Sequence, residues 1–101
     1  MIHIGSTAEV YGNAKVCDNA VAGSYAKVYD NAKLCGDAEV YFANVYGNAQ
    51  VGGRAHVQDN AQICGDTIIE GVVVIRRSIL EGDVTISEGR IWDVHWWRDL
   101  P

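Results

Sequence analysis

Residues 10–20, VYGNAKVCDNA, return 18 positions later as residues 28–38, VYDNAKLCGDA. A chain that rewrites its own lettering at a fixed interval is building one supersecondary unit repeatedly, and this limits the fold more than any other feature. Aligned on the aliphatic residue, the sequence reads IGSTAE, VYGNAK, VCDNAV, AGSYAK, VYDNAK, LCGDAE, VYFAN, VYGNAQ, VGGRAH, VQDNAQ, ICGDTI and IEGVVV. The unit is six residues long, with a five-residue member at 40–44. In Ala14-Lys15-Val16-Cys17 a small apolar residue alternates with a polar one and then an aliphatic one, which places Ala and Val on one face of a short strand. The next two residues, Gly12-Asn13 in one unit and Asp30-Asn31 in another, are types that accept positive φ and sharp turns. Each unit is therefore one strand and one corner.

A four-residue strand cannot bury its apolar face alone, so the chain must wind until each strand stacks on the one a full coil earlier. On these units the sequence resembles the hexapeptide-repeat family of acyltransferase-like proteins, over about residues 2–91. That resemblance implies an all-β, single-domain, left-handed parallel β-helix, a triangular solenoid of about five coils with three units per coil. The handedness comes from the resemblance alone, since the period fits a right-handed solenoid equally. Past Thr67 the strands become rich in Ile and Val on both faces, with turn pairs at Glu70-Gly71, Gly82-Asp83 and Glu88-Gly89. A second five-residue unit, 75–79, restores phase to Leu80 and Ile86. Residues 92–101, WDVHWWRDLP, depart from the repeat and read as a Trp-rich segment capping the C-terminal end.

The composition agrees: helix formers such as Met, Leu and Lys are scarce, while Ala, Val, Gly, Asn and Asp dominate. A net charge of −5 argues against nucleic acid as a partner. No apolar run approaches a membrane span and no leader-like segment opens the chain. Three cysteines without metal-ligand spacing suggest reduced thiols and a cytoplasmic protein.

Stacking turns sequence spacing into columns about 4.8 Å per step. Tyr11, Tyr29, Tyr46 and Cys64 fall in one outward column, beside Glu9, Lys27, Asn44 and Gln62. A second face carries Lys15, Lys33, Gln50 and Ile68 beside Cys17, Cys35, Gly52 and Glu70. The third carries His3, Val21, Glu39, His56 and Val74 beside Gly5, Gly23, Tyr41, Gln58 and Arg76, and Asn13, Asn31, Asn48 and Asp66 share a corner. The tyrosine column reads as sheet stabilisation through pairwise contacts, with a platform for a carbohydrate or protein as the alternative. The corner amides satisfy one another and the turns, and a Ca²⁺ site would need more converging carboxylates. Cys17 and Cys35 lie within disulfide range, but side-chain directions in parallel in-register neighbours favour two free thiols.

The resemblance also raises acyl transfer, in which a histidine acts as general base between subunits of a trimer and acetyl-CoA or another acyl-CoA is the donor. His56 is the best placed of His3, His56 and His95, yet no unit carries an insertion with which to build a cleft, and no carboxylate adjoins His56 along the chain. The zinc enzymes of the γ-carbonic anhydrase type within that family use three histidines. Here His3 and His56 are three coils apart, so no metal or other cofactor is expected. Three scattered threonines likewise do not form an ice-binding array.

A solenoid end leaves unpaired backbone groups that invite association. Trp92, Trp96 and Trp97 are candidates to cover one end or to dock a partner, and outward Ile68, Val74 and Ile79 suggest an apolar interface. The expectation is a self-associating, non-catalytic scaffold or interaction module, a homotrimer first and a dimer second. A minimal acyltransferase using His56 is the alternative.

Overall fold

The computed structural model describes residues 3–92 and, for the backbone alone, 95 and 96. The described residues contain no helix. The first coil is made of β1 (His3–Ile4), β2 (Glu9–Val10) and β3 (Lys15–Val16), and the second of β4 (Val21–Ala22), β5 (Lys27–Val28) and β6 (Lys33–Leu34). The third coil holds β7 (Glu39–Val40), β8 (Asn44–Val45) and β9 (Gln50–Val51). After β10 (His56–Gln58) and β11 (Gln62–Ile63) come the nine-residue β12 (Ile68–Arg76), then β13 (Ile79–Leu80), β14 (Thr85–Trp92) and β15 (His95–Trp96).

Each strand pairs in parallel with the strand one coil away, giving a β-solenoid of about five coils with three sides. The register on the first side runs His3, Val21, Glu39, His56, Val74, Arg90. On the second it runs Glu9, Lys27, Asn44, Gln62, Ile79, His95. On the third it runs Lys15, Lys33, Gln50, Ile68, Thr85. These are the columns expected from the spacing.

The core follows from the alternation within each unit. First-position residues such as Leu34, Val57 and Ile63 and fifth-position residues such as Ala32, Ala38 and Ala61 are all fully buried. Burying one such aliphatic side chain contributes about 1.5–3 kcal/mol. Where the small position carries a hydroxyl, the group bonds to nearby backbone: Thr67 Oγ1 donates to the Cys64 carbonyl at 2.8 Å and Ser78 Oγ to that of Arg76 at 2.9 Å. No buried side-chain nitrogen or oxygen among the described residues lacks a partner.

Corners form where the backbone crosses into left-handed φ. At the corner after the second side this position is Gly12, Asp30, Gly47 and Gly65, with φ of 67°, 58°, 66° and 68°. A Cβ on Gly47 would come 2.9 Å from the Gly65 nitrogen, so close stacking as well as φ selects glycine there. Where aspartate takes the position it acts on the coil above: Asp30 Oδ2 accepts the Gly47 N–H at 3.2 Å, and Asp18 Oδ2 accepts the Gly36 N–H at 3.1 Å. The two five-residue units shorten the same corner, the one after the first side, at Phe42 (φ 51°) and Arg77 (φ 49°).

Of the late turn pairs, Gly82-Asp83 is a bend between β13 and β14 as expected, and the other two differ. Glu70-Gly71 lies inside β12 and Glu88-Gly89 inside β14, because each strand bends through the corner and resumes its pairing beyond it. The register shifts between Ile69 and Val72, so 86–90 is a third short unit. The second-side stack continues through β15, where Leu80 pairs with Trp96.

Candidate functional site

On the first side, stacking brings together groups that are separate in the sequence. His56 Nδ1 lies 4.0 Å from Glu39 Oε1, both side chains being partly exposed. The Tyr41 phenol is pushed above its ordinary pKa, first by burial and then by the charge and hydrogen bond of Glu39. Glu39 therefore serves both His56, one coil away, and Tyr41, two residues away. The Tyr41 ring lies over Gly23, whose missing side chain leaves it room. Higher on the same side Asp59 Oδ2 receives both Arg76 Nε and Arg76 Nη2 at 2.7 Å, and the Arg76 guanidinium carbon sits 5.4 Å from the centre of the Trp92 ring. Val74 is half-buried on this side and Trp92 exposed. Trp96 and His95 are described through their backbone, and Trp97 lies outside the described residues. His3 is exposed in the first coil, far from His56.

The second side carries the tyrosine ladder. Ring centroids of Tyr11 and Tyr29, and of Tyr29 and Tyr46, are 5.0 Å apart with planes within 1° and 3° of parallel. Rings stacked this way cover one another's faces and present edges outward, whereas a sugar stacks on an exposed face. The geometry fits sheet stabilisation. The Tyr46 hydroxyl donates to Gln62 Oε1 at 3.2 Å. Its ionisation is displaced upward, foremost by a hydrogen bond to Cys64 and then by burial, and burial pushes the Cys64 thiol up. A thiol held protonated in this way is a poor nucleophile.

The third side departs from the sequence reading. Cys17 and Cys35 are not free thiols; they form a disulfide across neighbouring coils, with Cα atoms 4.6 Å apart. Spacing alone brings the Cα atoms into range, and the side chains of this outward column turn toward each other. With two cysteines bridged, the thiol argument for a cytoplasmic protein loses its ground. Beyond Cys35 the column continues with Gly52 and Glu70, and there a shallow cavity of about 230 Å³ opens, lined among others by Lys33, Gln50 and the half-buried Ile68. It does not include His56.

At the corner after the second side the amides form a ladder, Asn13 donating to Asn31 (3.2 Å), Asn31 to Asn48 (3.4 Å) and Asn48 to Asp66 (3.3 Å). A parallel ladder at the next corner joins Asn19 to Asp37 at 3.2 Å.

Comparison with family models, with curated proteins and with solved structures finds no match to this chain. What is shown is the architecture, a parallel β-solenoid. Sequence reasoning missed the Tyr41–Glu39–His56 grouping, although the column positions of Glu39 and His56 carried the signal.

Proposed function

We propose that this chain is a self-associating, non-catalytic β-helical scaffold, with the left-handed winding of the hexapeptide-repeat family that it resembles. The observation that carries this reading is the placement of apolar side chains on the outside of the late coils. Val72 is 64% exposed and Trp92 47% exposed, and Ile68, Val74 and Ile79 are half-buried on the third, first and second sides. Ile4, Tyr11, Tyr25 and Phe42 are also exposed in the early coils, and outward apolar groups on a small solenoid favour burial against a second copy. A homotrimer is the first expectation and a dimer the second; acyl-CoA, metal, nucleic acid and lipid have no part in it. No helix among the described residues is long and apolar enough to cross a membrane. Light scattering on the purified chain should give the mass of a trimer or dimer, and Val72→Lys should reduce it toward that of one chain. A monomer across the accessible concentration range would overturn the reading.

The Glu39–His56 distance supports a second reading, a minimal acyltransferase, because a carboxylate beside the imidazole can orient a general base. Against it, the described corners carry no loop to enclose a cleft around His56. Under this reading acetyl-CoA raises the unfolding temperature and His56→Ala abolishes transfer to an amine or hydroxyl acceptor. Under the scaffold reading neither effect occurs.

A further inference from the structure

The outward column Cys17, Cys35, Gly52, Glu70 combines a bridge, a gap and a charge. Gly52 has no left-handed φ, and a Cβ added there would meet only the Cys35 and Ile69 carbonyl oxygens, at an ordinary 3.9 Å. The backbone therefore does not require glycine at this position. The missing side chain leaves open the space beyond Cys35, on the side away from Cys17. That space is the middle of the 230 Å³ cavity, where Lys33 and Glu70 supply one positive and one negative group and Cys35 forms part of the wall. The Asp18 carboxylate, which accepts the Gly36 N–H, lies within 4.8 Å of the Cys17 and Cys35 sulfurs.

Thiol–disulfide exchange proceeds by displacement: a thiolate attacks one sulfur from the side opposite the bond that breaks, and accessibility selects which sulfur is attacked. We propose that Cys35 is the attacked sulfur of an exchange site, and that the cavity over Gly52 seats a small amino-acid thiol. Lys33 draws the thiolate and pairs with the ligand's carboxylate, while Glu70 pairs with its ammonium group. The incoming thiolate forms a new S–S bond to Cys35 Sγ, and the Cys17–Cys35 bond breaks. Its electron pair leaves on Cys17 Sγ, which takes a proton from water. The incoming sulfur is oxidised and Cys17 reduced, so no further oxidant is needed. Asp18 repels a thiolate approaching from its own side.

The test uses the full chain carrying Cys64→Ser, which leaves the bridge as the only cysteine site. The oxidised protein is incubated with excess L-cysteine at pH 8, aliquots are quenched with iodoacetamide, and peptide masses locate the adducts. The expected product carries cysteine on Cys35 and the alkyl group on Cys17, in about tenfold excess over the opposite isomer. Gly52→Val fills the gap with a residue suited to a strand, and it should slow the reaction about tenfold without lowering the unfolding temperature. Gly52→Ala should slow it less and serves if the valine variant does not fold. Adducts on Cys17, an even mixture, no adduct at all, or an unchanged rate in the Gly52 variants would each overturn the proposal.

Discussion

The coils up to Asp66 and the coils after it solve the same problem by different means. In the early coils the small inward position is Ala at 20, 26, 32, 38, 43, 49, 55 and 61, all buried, and the corners carry amide ladders. In the later coils that position is Thr67, Val73, Ser78 and Val84, and the amide ladder ends at Asp66. There β12 and β14 run through the corner and pair on both sides of it, at Ile68–Ile69 and at Val72–Arg76, with a register shift between. The early design gives the corners after the second and third sides an amide or carboxylate exterior, while the corner after the first side carries the exposed Tyr25 and Phe42 rings, 5.6 Å apart. The later one makes the corner after the third side a bend in a longer strand, with Val72 exposed beside it. A chain that stacks by period alone thus tolerates several corner chemistries.

The contrast can be broken most forcefully in the core. Leu34→Ala, among alanines with little freedom to fill the gap, should cost about 2–5 kcal/mol, whereas Ile75→Ala between the long strands should fall at the lower end of that range. Equilibrium urea unfolding measures both, and a larger loss at Ile75 would reverse the comparison. Next comes glycine. Gly47→Ala places a methyl against the Gly65 backbone in left-handed φ and should cost about 1–2 kcal/mol or more. Gly89→Ala meets no atom within 4 Å, but its φ of 114° lies outside the left-handed well open to L residues, so it should cost a comparable amount, about 1–3 kcal/mol, by conformation alone. A negligible loss at Gly89 would leave stacking distance as the whole reason for glycine at these corners. Asn31→Ala removes a side chain that both donates and accepts in the ladder, at an exposed site, and should cost about 1 kcal/mol.

The smallest effect concerns pH. Tyr46 keeps its proton in the folded chain beyond the pH at which the unfolded chain gives it up, near 10. Its contribution is therefore complete below pH 10 and declines as pH rises above that value. Tyr46→Phe should flatten the fall in stability between pH 9 and 11 measured by urea titration. An unchanged slope would show that the Cys64 contact has no weight.

Column membership was readable from the period because a parallel stack advances by whole coils. Hence the tyrosine ladder, the Asn13–Asn31–Asn48–Asp66 corner and the inward Ala and Val all follow from arithmetic on position. Rotamers do not. The same arithmetic put Cys17 over Cys35 and Glu39 beside His56 without saying whether the side chains meet, and they do. It also marked Glu70-Gly71 and Glu88-Gly89 as turns, since glycine after a charged residue looks the same whether a corner breaks the strand or bends it. The cavity beyond Cys35 was hidden for a related reason: a glycine in a column of outward residues is recorded as an empty place, and only the packing around it gives the void a shape.

The short units have a consequence for how such a chain can change over generations. At Phe42 and Arg77 a residue is missing from a corner, and every strand above resumes with its inward and outward residues unchanged. A deletion inside a strand would turn the following side chains to the wrong face, but at a corner it is absorbed locally. Length variation in this architecture is therefore filtered by position. Corners can lose residues singly, strands must be kept whole, and the safest large change is the gain or loss of one entire coil.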